Sequence, residues 1–249
     1  MKALAMEFHK IRRRKVGLIV AALIGVQILW ALATFRYMNA RDLKQGWLCC
    51  LYQFPLLNAI MMPVIAAVVA SRLSDVEHKG QTLKLLETVM PTGQLFDVKF
   101  LCGTVYMVVT AVLQLLVILI IGYTKGFEGT VPWTMLAYHL LFTVAVSLTI
   151  LLLQQVLSLL FVNQTLPLSV GLIGGFAGLF VMFFPQWMGK FILWGYYGVL
   201  MFVGMDWDRA TRICDYYWAP IDWPGFIALS MMFCAIYVIG RALFVQKEM

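Results

Sequence analysis

Six long apolar runs constrain this chain more than any other feature. They cover approximately Val16 to Phe35, Trp47 to Ala70, Phe100 to Tyr123, Val131 to Val162, Leu166 to Phe184 and Gly225 to Phe244. A helix rises 1.5 Å per residue, so about twenty apolar residues cross ~30 Å of hydrocarbon. Inside a bilayer only helices and closed barrels satisfy every backbone polar group, and runs of this length are helical. The spacing predicts an all-α polytopic membrane protein with six transmembrane helices, forming a single domain over residues 1–249. Composition agrees. Hydrophobic residues make up 62% and charged residues 12%, where a soluble domain carries about a quarter charged.

The net charge of +7 does not point to nucleic acid, because the basic residues cluster at the ends of the apolar runs. That is the pattern that sets membrane orientation. With the N-terminus inside, twelve of the nineteen Lys and Arg fall on the cytoplasmic side and seven outside. Both termini are therefore expected in the cytoplasm. Residues 1–15 place Met1, Leu4, Phe8 and Ile11 on one helical stripe. This predicts an interfacial amphipathic helix with Lys10, Arg12, Arg13, Arg14 and Lys15 toward lipid headgroups; the plainer alternative is a basic flank that only fixes orientation. Ala31-Leu32-Ala33 resembles a signal-peptide cleavage site, but the preceding run is of spanning length and more spans follow. Phe191 to Gly204 is apolar yet only fourteen residues long. It reads as a re-entrant segment between spans five and six, within an outer region 185–224, and Trp187, Trp194, Tyr196 and Tyr197 favour the membrane interface.

Between the second and third runs lies a polar island, Arg72 to Lys99, with four of the twelve acidic residues. Glu77, His78, Lys79 and Gly80 are expected to break the preceding helix. Thr82 to Met90 fits a short helix with Leu83, Leu86 and Met90 on one face. Pro91, Thr92 and Gly93 then turn the chain. A short amphipathic helix held at a membrane surface needs a surface to press against, and a separate cytoplasmic motor subunit supplies one.

The outer loop Met205 to Pro224 holds Asp206, Trp207, Asp208, Asp215 and Trp218. An acidic, aromatic rim attracts cationic amphipathic ligands; the alternative is an aromatic belt with a solvated loop. Gly171, Gly174, Gly175 and Gly178 form two overlapping GxxxG steps, a pattern that admits another helix closely, from the same chain or another. Gln53, Asn58, Gln114, Gln154 and Gln155 lie in apolar runs and can bond across helices. His139, near the outer end of the fourth run, is either a satisfied interhelical group or a proton relay. The five cysteines show no CxxC or Cys/His cluster, so neither a disulfide framework nor a zinc site is expected. No GxxxxGK[ST] loop, HExxH or other catalytic constellation occurs, so the chain reads as a non-enzyme and any ATP is hydrolysed elsewhere. No run centre carries Asp, Glu, Lys or Arg, which argues against an ion-coupled carrier.

At the island the chain resembles the ABC-2 type exporter permeases. Their coupling loop between spans two and three is matched by Glu77, Gly80, Thr82, Leu85, Leu86, Pro91, Thr92 and Lys99. Gln81 separates Gly80 from Thr82, and Gly93 stands where a basic residue is common. In length the chain is most like the permease subunits of lantibiotic-immunity and bacitracin-type exporters. The resemblance implies a bacterial plasma membrane protein. It implies ATP and Mg in a partner ABC ATPase, present in two copies, and a second permease, identical or a sister. Glu77, Gly80, Thr82, Leu83, Leu86 and Pro91 would be the ATPase-coupling residues. The cargo implied is a cationic antimicrobial peptide, with lipid, polysaccharide or ion as alternatives. A membrane sensor or scaffold that binds without transporting is a reading from another class.

Overall fold

The computed structural model describes residues 6–10, 15–80, 91–209 and 213–248. Residues 6–10 are helical, and Lys15 turns the chain with a left-handed backbone, φ 53°. Helix α1 follows as Val16–Thr34, then a five-residue α2, Ala40–Lys44, and the long α3, Gly46–Gly80. Next come α4 (Thr92–Lys125), α5 (Trp133–Leu160) and α6 (Thr165–Val181). Short pieces follow: α7 (Gln186–Gly189), a 3₁₀ turn at Leu193–Gly195, and α8 (Tyr196–Val199). Strands β1 (Val203–Asp208) and β2 (Ile213–Trp218) pair antiparallel before the last helix, α9 (Trp223–Glu248).

Among the described residues, α1, α3, α4, α5 and α9 are the helices long and apolar enough to cross a membrane. Helix α6 is apolar but only 17 residues long, ending three residues short of the expected Phe184. At ~20 residues per crossing it is the one run that falls below the simple length rule.

Two helix boundaries differ from the sequence reading. Helix α3 runs on through the residues expected to break it. Asp75 is met by Lys79 at 3.0 Å one turn ahead, and Glu77 by two lysines described below, so neither charge is left to disrupt the helix. At 35 residues α3 is ~52 Å long, well beyond the hydrocarbon thickness. Helix α4 opens at Thr92, eight residues before Phe100, with Thr92 and Gly93 in its first turn instead of in a bend. Its far end closes on Gly126 in the left-handed region, φ 70°, where a side chain would be strained.

Residues 185–209 and 213–224 are also more ordered than a loop. Residues 203–218 form a hairpin in which Val203 faces Trp218, Asp206 faces Asp215 and Asp208 faces Ile213, a small two-stranded addition to an otherwise helical fold. Tyr196 and Tyr197, expected at the membrane interface, are buried. The Tyr196 hydroxyl donates to the Lys190 carbonyl at 3.0 Å, and the Tyr197 hydroxyl pairs with Ser147 Oγ at 2.9 Å.

Helix α3 is the spine of the bundle. The apolar window of α3 is 72% buried, against 11% for α9, because α1, α4, α5 and α6 all pack on it. Glycines let α6 come close. A Cβ added at Gly171 would lie 2.5 Å from the Ala67 methyl group, and one at Gly175 would lie 3.2 Å from the Ile60 carbonyl oxygen. Gly174 and Gly178 face Trp194 in the same way. All four glycines are therefore spent on contacts within this chain. Buried amides add a polar thread through the spans. Gln114 donates to Gln27 at 2.9 Å, and Gln27 donates to Asn58 at 2.8 Å. Such bonds join helices that hydrophobicity alone does not hold together in lipid.

Candidate functional site

Four side chains from three segments meet where α3 ends and α4 begins. Lys99 is fully buried, and its ammonium makes three contacts: Glu77 Oε2 at 2.7 Å, the Leu73 carbonyl at 2.9 Å and Glu7 Oε2 at 3.1 Å. An ammonium has three protons to donate, so Lys99 is saturated. Lys10 donates to Glu7 Oε1 at 2.7 Å and to Glu77 Oε1 at 2.9 Å. The result is a closed ring of alternating charge, Lys99 to Glu77 to Lys10 to Glu7 and back. Every carboxylate oxygen is used and the formal charges cancel. Burying a charge is costly unless it is paired and hydrogen-bonded; the ring meets both conditions.

Burial opposes the charge on Glu7, but Lys99 and Lys10 outweigh it and hold the carboxyl below its ordinary value of 4.5. Burial likewise opposes charge on Lys10, yet the hydrogen bonds it donates to Glu7 and Glu77 keep its ammonium above the ordinary 10.5. Lys10 was expected to reach lipid headgroups; the two carboxylates draw it inward instead. Lys15 is exposed, and Arg12, Arg13 and Arg14 lie outside the described residues.

Neighbouring elements hold the ring in place. Phe8 packs on Tyr106 with ring centroids 6.3 Å apart, seating residues 6–10 against α4. The first turns of α4 are clamped from the other side. Gln155 Nε2 donates to the Phe96 carbonyl at 2.9 Å, and the Tyr237 hydroxyl donates to Asp97 at 2.7 Å. Leu95, Phe96, Leu152, Val156, Leu159 and Phe244 form a separate apolar cluster there. Lys247 donates to the carbonyls of Leu159 and Leu160, capping the last turn of α5 with a cation.

The ring therefore sits at the root of the connection between α3 and α4. Of the residues expected to meet a motor subunit, Glu77 is in the ring, Gly80 closes α3 and Pro91 precedes the first turn of α4. Thr82, Leu83, Leu86 and the rest of the expected helix to Met90 lie outside the described residues. Sequence reasoning did not find the role of Glu7, nor the pairing of Lys99. The available signal was one lysine and one glutamate at the margins of adjacent apolar runs, with no way to see that they meet.

At the other end of the bundle, Asp215 is held by Arg41 at 2.8 Å and by Gln45 at 3.2 Å, so its carboxylate fastens the hairpin to α2 and the start of α3. Those hydrogen bonds, and Arg41 above all, keep Asp215 below the usual carboxylate range. Asp206, Trp207 and Asp208 are exposed, and Trp218 stacks on Phe202 with centroids 6.3 Å apart. His139 is buried in a T-shaped contact with Phe54, and its Nε2 has no hydrogen-bond partner among the described residues. Among the described residues no group of His, Cys, Asp and Glu is arranged to hold a metal ion.

The described residues form a helical membrane protein with a four-membered ion ring at the root of one inter-helix connection. Comparison with known proteins gives the family. The family model described as ABC-2 family transporter protein matches residues 3–178, from the N-terminal segment to the end of α6. The chain belongs to this family: it is a multi-pass membrane permease of an ABC transporter, and such permeases normally work with an ABC ATPase. No curated relative and no solved structure matched the chain.

Proposed function

We propose that this chain is the permease subunit of an ATP-driven exporter, and that its ion ring welds the root of the coupling loop into one body. The observation that carries this reading is the buried Glu7–Lys10–Glu77–Lys99 ring at the ends of α3 and α4. A push on residues 81–91 by an ATPase would then move both helices and the N-terminal segment together, because pulling any one member out of the ring leaves buried charge unmatched. In this reading α6 completes six crossings, and both termini face the cytoplasm of a bacterial cell. Two ATPase copies carry the ATP and Mg, and a second permease, identical or a sister, completes the pathway.

The cargo we propose is a cationic amphipathic antimicrobial peptide, as in lantibiotic immunity. The exposed Asp206 and Trp207 on β1 support it through charge and cation–π attraction. Asp215 does not add to that attraction, since Arg41 already holds it. The test is purification of the tagged protein in mild detergent, followed by ATPase assays with a cationic peptide. A stoichiometric ABC ATPase, lost when residues 82–90 are scrambled, is expected. Peptide stimulation should weaken in Asp206→Asn. Purification without any ATPase would contradict the coupling reading, and unchanged stimulation in that variant would contradict the cargo reading.

A further inference from the structure

A groove of about 230 Å³ opens along the last turns of α3, between α1 and α6, with Gln164 at the start of α6 on its edge. Its apolar walls are Ile19, Val68 and Leu168. Its polar mouth carries Ser71, Arg72 and the Asp75–Lys79 pair. Asp75 is neutralised by Lys79 at 3.0 Å, whereas Arg72 is exposed and has no carboxylate partner among the described residues. Arg72 thus brings to an apolar slot a positive charge that no carboxylate among the described residues offsets.

We propose that this groove binds an anionic phospholipid of the leaflet at that end of the bundle. Its phosphodiester would sit on Arg72, whose planar guanidinium offers two parallel donors to phosphate oxygens. Its acyl chain would lie along Ile19, Val68 and Leu168. The positive charge of Arg72 selects the anionic headgroup, since a zwitterionic lipid brings a cation of its own toward the guanidinium. The slot selects a lipid over a soluble phosphate, since a soluble phosphate leaves the apolar walls wet. Because Arg72 lies five residues before Glu77 on the same helix, the lipid would brace the outer side of the helix end that carries the ring.

The experiment is native mass spectrometry of the full-length protein, delipidated in detergent and titrated with dioleoyl phosphatidylglycerol, dioleoyl phosphatidylcholine or glycerol 3-phosphate. Wild type should retain phosphatidylglycerol in preference to phosphatidylcholine, and glycerol 3-phosphate should not compete. Arg72→Gln should weaken retention about fivefold, the effect of one basic group near a headgroup. Leu168→Trp, which fills the slot without changing charge, should also reduce it. Lys190→Gln, far along the chain beside Asp222, should not. Equal retention of the two lipids, competition by glycerol 3-phosphate, or unchanged retention in Arg72→Gln would each overturn the proposal.

Discussion

The two ends of this molecule use the same pairing of Lys or Arg with carboxylates, in opposite surroundings. At the ring, Lys99 and Glu77 are fully buried and joined to a segment 92 residues away. At the hairpin, Arg41 and Asp215 are each about half exposed, at 52%, and join residues 174 apart. Sequence separation does not distinguish them; water does. An exposed pair trades hydration for a partner of similar worth, and salt screens it. In the ring Lys99, Glu77 and Glu7 are withdrawn from water and only Lys10 reaches it in part, so its four charges act as a unit.

The largest expected effect comes from breaking the ring at its centre. Lys99→Met leaves Lys10 as the one cation serving two buried carboxylates and should cost about 3–5 kcal/mol, read as a loss of thermal stability in detergent. The double change Glu77→Gln/Lys99→Met removes one charge of each sign and leaves Lys10 with Glu7. It should be milder than Lys99→Met alone, a non-additivity that an exposed pair does not show. At the hairpin, Arg41→Ala and Asp215→Asn should leave the melting midpoint unchanged, singly and together. Equal behaviour of the two sites would erase the contrast between them.

Next in size is packing along the spine. Gly171→Ala forces a methyl group onto Ala67 and should cost about 1–3 kcal/mol of stability. Gly17→Ala, where nothing lies within 4 Å, serves as the matched control and should be neutral.

The pH dependence of the N-terminal segment is smaller and sharpens the inner end. Glu7 has its carboxyl lowered, so its contribution is complete above 4.5 and is lost as pH falls through the lowered value. Lys10 is raised, so its contribution is complete below 10.5 and is lost as pH rises through the raised value. Docking of residues 6–10 should be flat between those limits and weaken beyond both. A nitroxide at His9→Cys, an exposed position, should gain mobility on acidification below the lowered Glu7 value. Mobility that changes near neutrality would point to another group.

Much of the bundle was legible because the bilayer imposes a length on every crossing helix. The runs at Val16, Trp47, Phe100, Val131 and Gly225 all correspond to long helices, with ends shifted where local charges were matched. The hairpin was not legible, because Asp206, Asp208 and Asp215 made residues 203–218 look like a solvated loop. The alternation of Val203, Met205 and Trp207 was its only strand signal. The glycines of α6 announced a close contact but not its partner, which is α3 and Trp194. The ring was the least legible. Glu7 belonged to an amphipathic pattern and Lys99 to a resemblance, and a pairing across 92 residues leaves no local trace.

Transport and hydrolysis measured side by side in Glu77→Gln/Lys99→Met, assembled with its ABC ATPase and reconstituted in vesicles, test the central claim most directly. If the ring transmits the push from the coupling loop, the complex should assemble and hydrolyse ATP while cargo movement per ATP collapses. Wild-type cargo movement per ATP in that variant would contradict the account and reduce the ring to a structural brace.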